Sequence, residues 1–147
     1  FPSHKYEQLL YYTDSFICVC AKNHTFSKKV NHIEDLLNER ILIRETGSGT
    51  RDLLDSYLKT YNLSYSDFKN HLEIESISSI ISLLKNDCGI SFLYRLSVEE
   101  ELKNGSLKEI KIQNLQLHHD TTFLWNKNSV YSKKYKEICK ELIGGFN

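Results

Sequence analysis

A cluster of glycine and hydroxyl residues follows the short apolar run Ile41 to Arg44, and an amphipathic segment starts directly after it at Arg51. This order predicts a strand, a tight loop and the start of a helix. Free N–H groups at a helix N-terminus, hydroxyl side chains and glycines that allow close approach form a site for an anion or a carboxylate. The residues of this candidate binding loop are Thr46, Gly47, Ser48, Gly49 and Thr50.

The loop predicts binding rather than catalysis, because the sequence places no His or carboxylate that would activate Ser48 as a nucleophile. It also fails sharper templates. Asp52 stands where a dinucleotide-binding fingerprint has its third glycine, no Gly-Lys-Ser/Thr follows, and Ser48 does not fit a nucleophile elbow. A purely structural alternative stays open, in which Gly47 and Gly49 form a turn and Ser48 caps a helix without any ligand.

The composition is that of a soluble globular chain, with 147 residues, 40% hydrophobic and 26% charged. Lys plus Arg and Asp plus Glu both number 19, so no global electrostatic footprint for nucleic acid or an anionic membrane exists. No secretory signal or transmembrane span is recognisable, and we expect no membrane partner. Because the chain starts at Phe1 and contains no methionine, we expect a fragment or a processed chain.

The cysteines and histidines predict neither a disulfide nor a metal site. Cys18 and Cys20 would lie on the same face of one strand, which is a poor geometry for a disulfide. We therefore expect reduced thiols and a cytoplasmic location. The adjacent pair His118-His119 would point to opposite faces of a strand and could not chelate jointly. We therefore expect no metal and no cofactor. The four cysteines are Cys18, Cys20, Cys88 and Cys139.

Strand and helix patterns alternate along the chain. The continuous apolar run Phe16 to Cys20 is typical of a strand buried on both faces, as in parallel sheets. Further strands are predicted at Ile41–Arg44, Leu72–Glu75, Ile90–Tyr94, Lys108–Ile112 and Thr121–Trp125. Helices are predicted at Ile33–Asn38, after the candidate binding loop, after Ser76, between Ser97 and Gly105, and around Tyr135–Ile143. This order predicts an α/β fold with a mostly parallel sheet, helices on both faces, and ligands at the carboxyl ends of the strands.

Local signals set the helix ends. The helix after the candidate binding loop has an apolar stripe formed by Leu53, Leu54, Tyr57, Leu58 and Tyr61. Ser76 is a predicted N-cap, and apolar residues recur with helical spacing after it. The segment Ser97 to Glu100 has the pattern of a capping box, and Gly105 is a predicted left-handed stop.

Several motifs occur together in a fixed order and spacing. They are Arg44-Glu45-Thr46-Gly47-Ser48-Gly49-Thr50-Arg51, Glu75-Ser76 before an apolar helix, Gly89-Ile90-Ser91-Phe92-Leu93, and Glu101-Leu102-Lys103-Asn104-Gly105-Ser106-Leu107. Together they resemble the effector-binding domain of LysR-type transcriptional regulators, from about Tyr11 to the end of the chain. The chain departs from the family pattern at Asp87-Cys88, where a glycine is usual, and at Tyr94, where a proline often ends the strand.

The resemblance implies a periplasmic-binding-protein-like fold of type II, with two α/β lobes, two crossover strands and a small-molecule effector between the lobes. Residues 1–15 would be a remnant of the first lobe and a crossover, residues 16–117 the complete second lobe, and residues 118–147 the return crossover with a first-lobe helix. Most of the first lobe and a DNA-binding winged helix-turn-helix would precede Phe1. DNA contact would then belong to that N-terminal domain, and the parent protein would be a homo-oligomer.

The function implied is effector sensing without enzymatic activity, through a population shift between lobe arrangements. Both candidate polar segments lie at predicted helix N-termini, which favour an anionic effector. A solute- or oxyanion-binding lobe is the alternative, and an enzyme on a related lobe is a distant third. The expected effector-binding residues are Thr46, Gly47, Ser48, Gly49, Thr50, Ser76, Ile77, Ser78 and Tyr94.

Two structural expectations follow from this hypothesis. First, Thr46, Ser48, Thr50 and Ser76 are expected to form one polar cluster around a shared cleft, because each follows the carboxyl end of a strand. Second, a missing partner lobe would leave apolar side chains exposed and would favour self-association. These side chains are Phe123, Trp125, Ile138 and Leu142.

Overall fold

A computed structural model describes residues 6–115 and 117–126, with side chains described for residues 14–115. Its six strands are β1 (Tyr6–Ala21), β2 (Arg40–Arg44), β3 (Asn70–Ile74), β4 (Ile90–Tyr94), β5 (Leu107–Ile110) and β6 (Leu117–Asn126). Its α-helices are α1 (Gly49–Thr60), α2 (Ile77–Lys85) and α3 (Glu99–Asn104). Short 3-10 helices are Ile33–Leu36, Tyr65–Asp67 and Arg95–Val98. Contacts divide the chain into one unit, Ser15–Leu117, and a second composed of Phe1–Asp14 and His118–Asn147.

The strands form one mixed sheet in the order β3-β2-β4-β1-β5, and β6 pairs with β1. Strand β2 is parallel to both of its neighbours, with Arg44 opposite Ile74 in β3 and Ile41 opposite Ile90 in β4. Strand β1 is antiparallel to β4 and to β5. The α/β class is therefore confirmed. Strands β3, β2, β4 and β5 run in one direction, and β1 runs in the other. The expectation that the Phe16–Cys20 strand is parallel is wrong, because β1 runs against both of its neighbours.

Two apolar layers cover the two faces of the sheet, because side chains alternate along each strand. On the first face, Ile41 and Ile43 of β2 pack in a cluster with Leu54, Tyr57 and Leu58 of α1. On the second face, Leu42 packs with Ile80 and Leu84 of α2. Helices α1 and α2 therefore cover opposite faces, and Phe16–Cys20 contributes side chains to both clusters, as its pattern predicts.

The predicted apolar stripes of the two long helices and the predicted cap at Ser76 are confirmed, and Ser48 has the capping role that the sequence left open. Ser48 is the N-cap of α1, and its hydroxyl accepts a hydrogen bond from the backbone N–H of Arg51 at 3.0 Å. Ser76 is the N-cap of α2 and accepts from the N–H of Ser79 at 3.3 Å. Each cap satisfies one of the N–H groups that the first turn of a helix leaves without an intrahelical partner.

The predicted capping box at Ser97 is wrong. The 3-10 helix Arg95–Val98 leads directly into α3, whose N-cap is Val98 without a side-chain hydrogen bond. Ser97 therefore lies inside a turn instead of before the helix. The predicted stop is confirmed, since Gly105 ends α3 with φ of 81°. The predicted helix around Tyr135–Ile143, the side chains of Phe123 and Trp125, and residues 138 and 142 lie outside the described part of the chain.

A charged group joins three connecting segments at the amino ends of β2 and β4. The ring of His24 contacts Glu39 through Nε2 and lies 2.6 Å from Asp87 through Nδ1. The two ring nitrogens therefore each face a carboxylate oxygen of a different connecting segment. Only 16% of the His24 side chain is exposed, which makes this His24 cluster an electrostatic tie within the unit Ser15–Leu117.

The three cysteines with described side chains are free thiols, and two of them are buried in β1. Burial raises the pKa of Cys18 well above its usual value and raises the pKa of Cys20 to about 11. Cys88 is only partly buried. The expected absence of a bond between Cys18 and Cys20 agrees with these free thiols, whereas Cys139 lies outside the described residues.

Candidate functional site

The three predicted site segments follow three neighbouring parallel strands. The candidate binding loop follows β2, the Ser76–Ser78 segment follows β3, and Tyr94 is the last residue of β4. Because these strands run in the same direction, their carboxyl ends meet at one edge of the sheet. All nine predicted residues therefore belong to this edge, although the prediction that they surround one shared cleft stays a prediction.

The order of the strands reverses at this edge. From β2 the chain moves outward to β3 through α1, and from β3 it crosses back past β2 to β4 through α2. Two crossover connections of the same handedness that run in opposite directions along a sheet place their helices on opposite faces of that sheet. Helices α1 and α2 accordingly belong to the two different apolar clusters. In α/β sheets, ligands bind outside the carboxyl ends of the strands where such a reversal occurs. The candidate binding loop and Tyr94 flank this position.

The candidate binding loop combines a helix cap with exposed backbone. Gly47 has φ of +97°, and an added Cβ there would meet no atom within 4 Å. Thr46 and both glycines are exposed, whereas Ser48 and Thr50 are half-buried. The Ser48 hydroxyl already serves as the cap of α1, which is the structural role that the sequence left open.

Arg51 holds this loop against the rest of the unit. Its Nη1 donates to the carbonyl oxygen of Arg44 at 2.8 Å, and its Nε donates to Asp55 at 3.3 Å. The guanidinium lies 4.7 Å from the centre of the Tyr65 ring, a cation–π arrangement. The Tyr65 hydroxyl donates to Asp55, and burial together with this bond raises the pKa of Tyr65. Only 16% of the Arg51 side chain is exposed, so Arg51 fixes the first turn of α1 to the end of β2.

The second arginine at this edge is also paired. The Arg44 guanidinium donates two hydrogen bonds of 3.0 Å to the carboxylate of the next residue, Glu45. These bonds are the main reason that the pKa of Glu45 lies below its usual value. Since Arg44 and Arg51 both have carboxylate partners, backbone N–H and hydroxyl groups are the donors that remain for an anion at the loop.

The second predicted segment begins α2. The Ser76 hydroxyl lies 2.7 Å from the Ser78 hydroxyl and also caps the helix. Ile77 and Ser76 are half-buried, and Ser78 is exposed. The two serine hydroxyls thus form a small polar group at the N-terminus of α2, where the helix dipole favours negative charge.

Tyr94 packs on the apolar layer that also contains α1. Its ring meets that of Phe16 edge to face, with 5.6 Å between the ring centres, and the residue is half-buried. Tyr94 therefore covers part of the core at the edge where β4 ends. A role in binding stays a prediction for this residue.

A direct link between the loop and β3 was not predicted. The backbone N–H of Thr46 donates to Glu73 Oε1 at 3.0 Å, and the same oxygen lies 3.7 Å from Arg51 Nη1. The spacing of Arg51 and Asp55 on one helix could have indicated their pairing. No sequence pattern could have indicated the contact of Glu73 with Thr46. Glu73 lies in β3, Thr46 lies in the loop after β2, and the two residues are 27 positions apart.

In the part of the chain that the structure describes, no three His, Cys, Asp or Glu side chains come together in a way that could hold a metal ion. Within the same part of the chain, every helix is too short or too polar to cross a membrane.

A sheet whose order reverses, with helices on both faces, has the type II periplasmic-binding-protein-like fold. The chain belongs to the LysR substrate binding domain family, whose model matches residues 2–145. This membership favours the regulator interpretation over a solute- or oxyanion-binding protein.

Curated relatives are similar over most of this chain. The probable RuBisCO transcriptional regulator of Gracilaria tenuistipitata var. liui is 28% identical over 134 residues, which are 90% of this chain and 43% of that protein. The protein of the same description from Chlorokybus atmophyticus is 26% identical over 137 residues, 92% of this chain and 44% of that protein. The chain thus spans less than half the length of these relatives.

Solved structures of regulatory domains have the same fold. The Synechocystis PCC6803 CcmR regulatory domain in complex with 2-PG superposes with a TM-score of 0.71 at 19% identity, over 97% of this chain and 68% of that one. The effector binding domain of QuiR in complex with shikimate gives a TM-score of 0.66 at 20% identity, over 96% of this chain and 66% of that one. These similarities establish the fold class that the sequence predicts.

Proposed function

We propose that this chain is the effector-sensing part of a LysR-type transcriptional regulator, and that it binds a small anionic metabolite at the carboxyl edge of its sheet. The observation that carries the proposal is that two helices, capped by Ser48 and Ser76, begin directly after adjacent parallel strands. Their N-termini supply backbone N–H groups and a favourable dipole for an anion. Structural neighbours with the same fold are complexes with 2-PG and with shikimate.

The effector would be held mainly by uncharged donors. Both arginines at this edge have carboxylate partners, so the contacts for an anion are the loop backbone and the hydroxyls of Thr46, Thr50 and Ser78. The full set proposed for binding is Thr46, Gly47, Ser48, Gly49, Thr50, Ser76, Ile77, Ser78 and Tyr94. The chain would act without catalysis, and the Ser48 hydroxyl would keep its position in the loop as the cap of α1.

We propose that DNA contact belongs to a helix-turn-helix segment outside this sequence, that the whole protein is a homo-oligomer, and that it acts in the cytoplasm. Equal numbers of basic and acidic residues, 19 of each, support the first point, because phosphate neutralisation needs a basic surface. A mobility-shift assay at physiological salt should give no sequence-specific retardation by this chain alone.

Ligand binding tests the proposal directly. A panel of small anionic metabolites that includes 2-PG and shikimate is screened by thermal shift on the full chain, and each hit is titrated by calorimetry. Thr50→Ala removes a candidate contact at the start of α1, and Thr60→Ala is the matched control at the other end of the same helix. Thr60 bonds only within the helix, through the carbonyl oxygen of Ser56 at 3.0 Å.

For a compound that binds, Thr50→Ala should weaken affinity about tenfold to a hundredfold, which corresponds to the loss of one hydrogen bond to a charged group. Thr60→Ala should leave the affinity unchanged. The proposal fails if no anion in the panel stabilises the protein, or if a ligand binds with equal affinity to the wild type, Thr50→Ala and Ser78→Ala.

A further inference from the structure

The carboxylate of Glu73 already occupies donors of the candidate binding loop. Its Oε1 accepts the Thr46 N–H at 3.0 Å and lies 3.7 Å from Nη1 of Arg51. Half of the Glu73 side chain is exposed, so the carboxylate has room to move away from the loop. The loop therefore binds a carboxylate in this structure, and that carboxylate belongs to the chain itself.

An ionised carboxylate of the protein affects an anionic ligand in two ways. It accepts a hydrogen bond that the ligand would otherwise receive, since one N–H group donates well to one acceptor at a time. It also places a negative charge a few ångströms from the ligand, which opposes binding by Coulomb repulsion. Both effects lower the affinity of the loop for any anion that has no additional contacts.

We propose that Glu73 is a specificity-determining residue that competes with the effector for the Thr46 N–H. This inference rests on the proposed function of the loop and describes how the same site is regulated. Simple anions bind more weakly because they have no further contacts that compensate for the displaced carboxylate. An effector that also contacts hydroxyl groups at this edge gains enough to displace it.

The other possible role of Glu73 is to tie the loop to β3, and the two roles predict opposite results. Glu73→Gln keeps an oxygen that can accept the Thr46 N–H but removes the charge, whereas Glu73→Ala removes both. If Glu73 competes, both variants bind anions more tightly than the wild type. If Glu73 only ties the loop, Glu73→Gln behaves as the wild type and Glu73→Ala weakens binding. Glu100→Gln is the charge-matched control, because Glu100 is exposed on α3.

Inorganic phosphate is the probe, and the backbone amide resonance of Thr46 in the full chain is the readout in nitrogen-15 NMR titrations. Glu73→Gln and Glu73→Ala should bind phosphate about threefold to fivefold more tightly at low ionic strength, as expected for removal of one charge about 5 Å away in water. The gain should shrink as added salt screens the interaction. Glu100→Gln should match the wild type.

The inference is overturned if the wild type and Glu73→Gln bind phosphate with the same affinity. It is overturned as well if neither protein binds phosphate. It is also overturned if Glu73→Ala alone differs and binds less tightly, since that result assigns a tie. If a metabolite of the thermal-shift panel binds the protein, the proposed function stands even when the phosphate titrations overturn the inference about Glu73. A gain for Glu73→Gln without any metabolite hit would support competition at the loop and count against the proposed effector class.

Discussion

Among the four glycines that the structure describes, Gly89 is the position at which one added methyl group should have the largest effect on stability. The residue is buried and has φ of +154°, and a Cβ at this position would lie 2.6 Å from the carbonyl oxygen of Arg40. The neighbour is backbone and cannot rotate away as a side chain could. Gly89→Ala would therefore push β4 from β2 next to the pair formed by Ile41 and Ile90.

The loss of unfolding free energy in Gly89→Ala has two causes, which the same substitution at two other glycines can distinguish. A positive φ costs an alanine about 1–2 kcal/mol, and forcing an extra methyl group into a packed region costs about 1–3 kcal/mol. Gly47→Ala has only the first part, because φ is +97° there and no atom lies within 4 Å of the added Cβ. Gly49→Ala has neither, since Gly49 is the first residue of α1 with open space around it.

Urea unfolding of the four proteins, followed by circular dichroism, measures these differences. Gly89→Ala should lower the free energy of unfolding by about 2–5 kcal/mol and Gly47→Ala by about 1–2 kcal/mol. Gly49→Ala should raise it by about 0.4–1 kcal/mol, since alanine reduces the freedom of the unfolded chain. The denaturant slopes should agree, so that the midpoints report stability alone. If Gly89→Ala costs no more than Gly47→Ala, the close approach of Gly89 and Arg40 does not limit the packing of these strands.

Three further changes test other features of the unit Ser15–Leu117. Replacing His24 by alanine should cost roughly 1–3 kcal/mol in urea unfolding, because two carboxylates lose their shared partner, and the same change at exposed His71 is the control. Ser48→Ala should lower the free energy of unfolding by about 0.5–2 kcal/mol, because α1 loses its N-cap. An equal loss for Ser97→Ala would contradict the structure, in which no side chain caps α3. Iodoacetamide at pH 8 should label Cys88 well before the two buried β1 thiols, whose raised pKa keeps them protonated. Equal labelling rates in the folded protein would contradict the burial of β1.

The elements that periodicity defines could be predicted from the sequence. A helix with one buried face repeats its apolar residues every three to four positions, and Leu54, Tyr57 and Leu58 of α1 are buried as this rule requires. Polar residues before an apolar stripe mark the N-caps, so Ser48 and Ser76 could be assigned without knowledge of the fold. These local signals also located most of the strands and therefore the edge that carries the candidate site.

Features that depend on neighbours in space could not be predicted. The run Phe16 to Cys20 is apolar at every position, and such a run indicates burial on both faces without indicating direction. Its direction follows from the pairing of β1 with β4 and β5. The pattern Ser97 to Glu100 is compatible with a capping box, but the 3-10 helix that starts at Arg95 extends through Ser97.

The contacts of the candidate site belong to the same category. The loop and its hydroxyls follow from the sequence, whereas the pairing of Glu73 with Thr46 joins two elements without any shared pattern. Arg51 could be assigned to the first turn of α1, but the partners that its guanidinium finds in Arg44 and Glu73 could not. The sequence therefore indicates where a ligand is expected and leaves open which charges surround it.

These charges determine what kind of discrimination the edge can provide. The guanidinium groups of Arg44 and Arg51 are neutralised by carboxylates of the same unit, so net charge gives an incoming anion little attraction. Affinity must then come from directional hydrogen bonds to backbone and hydroxyl groups, whose value depends on the shape of the ligand. Groups of this kind reject a molecule that lacks one matching acceptor more strongly than they attract charge in general. A neutralised edge with two capped helices is therefore suited to sensing one metabolite among many anions.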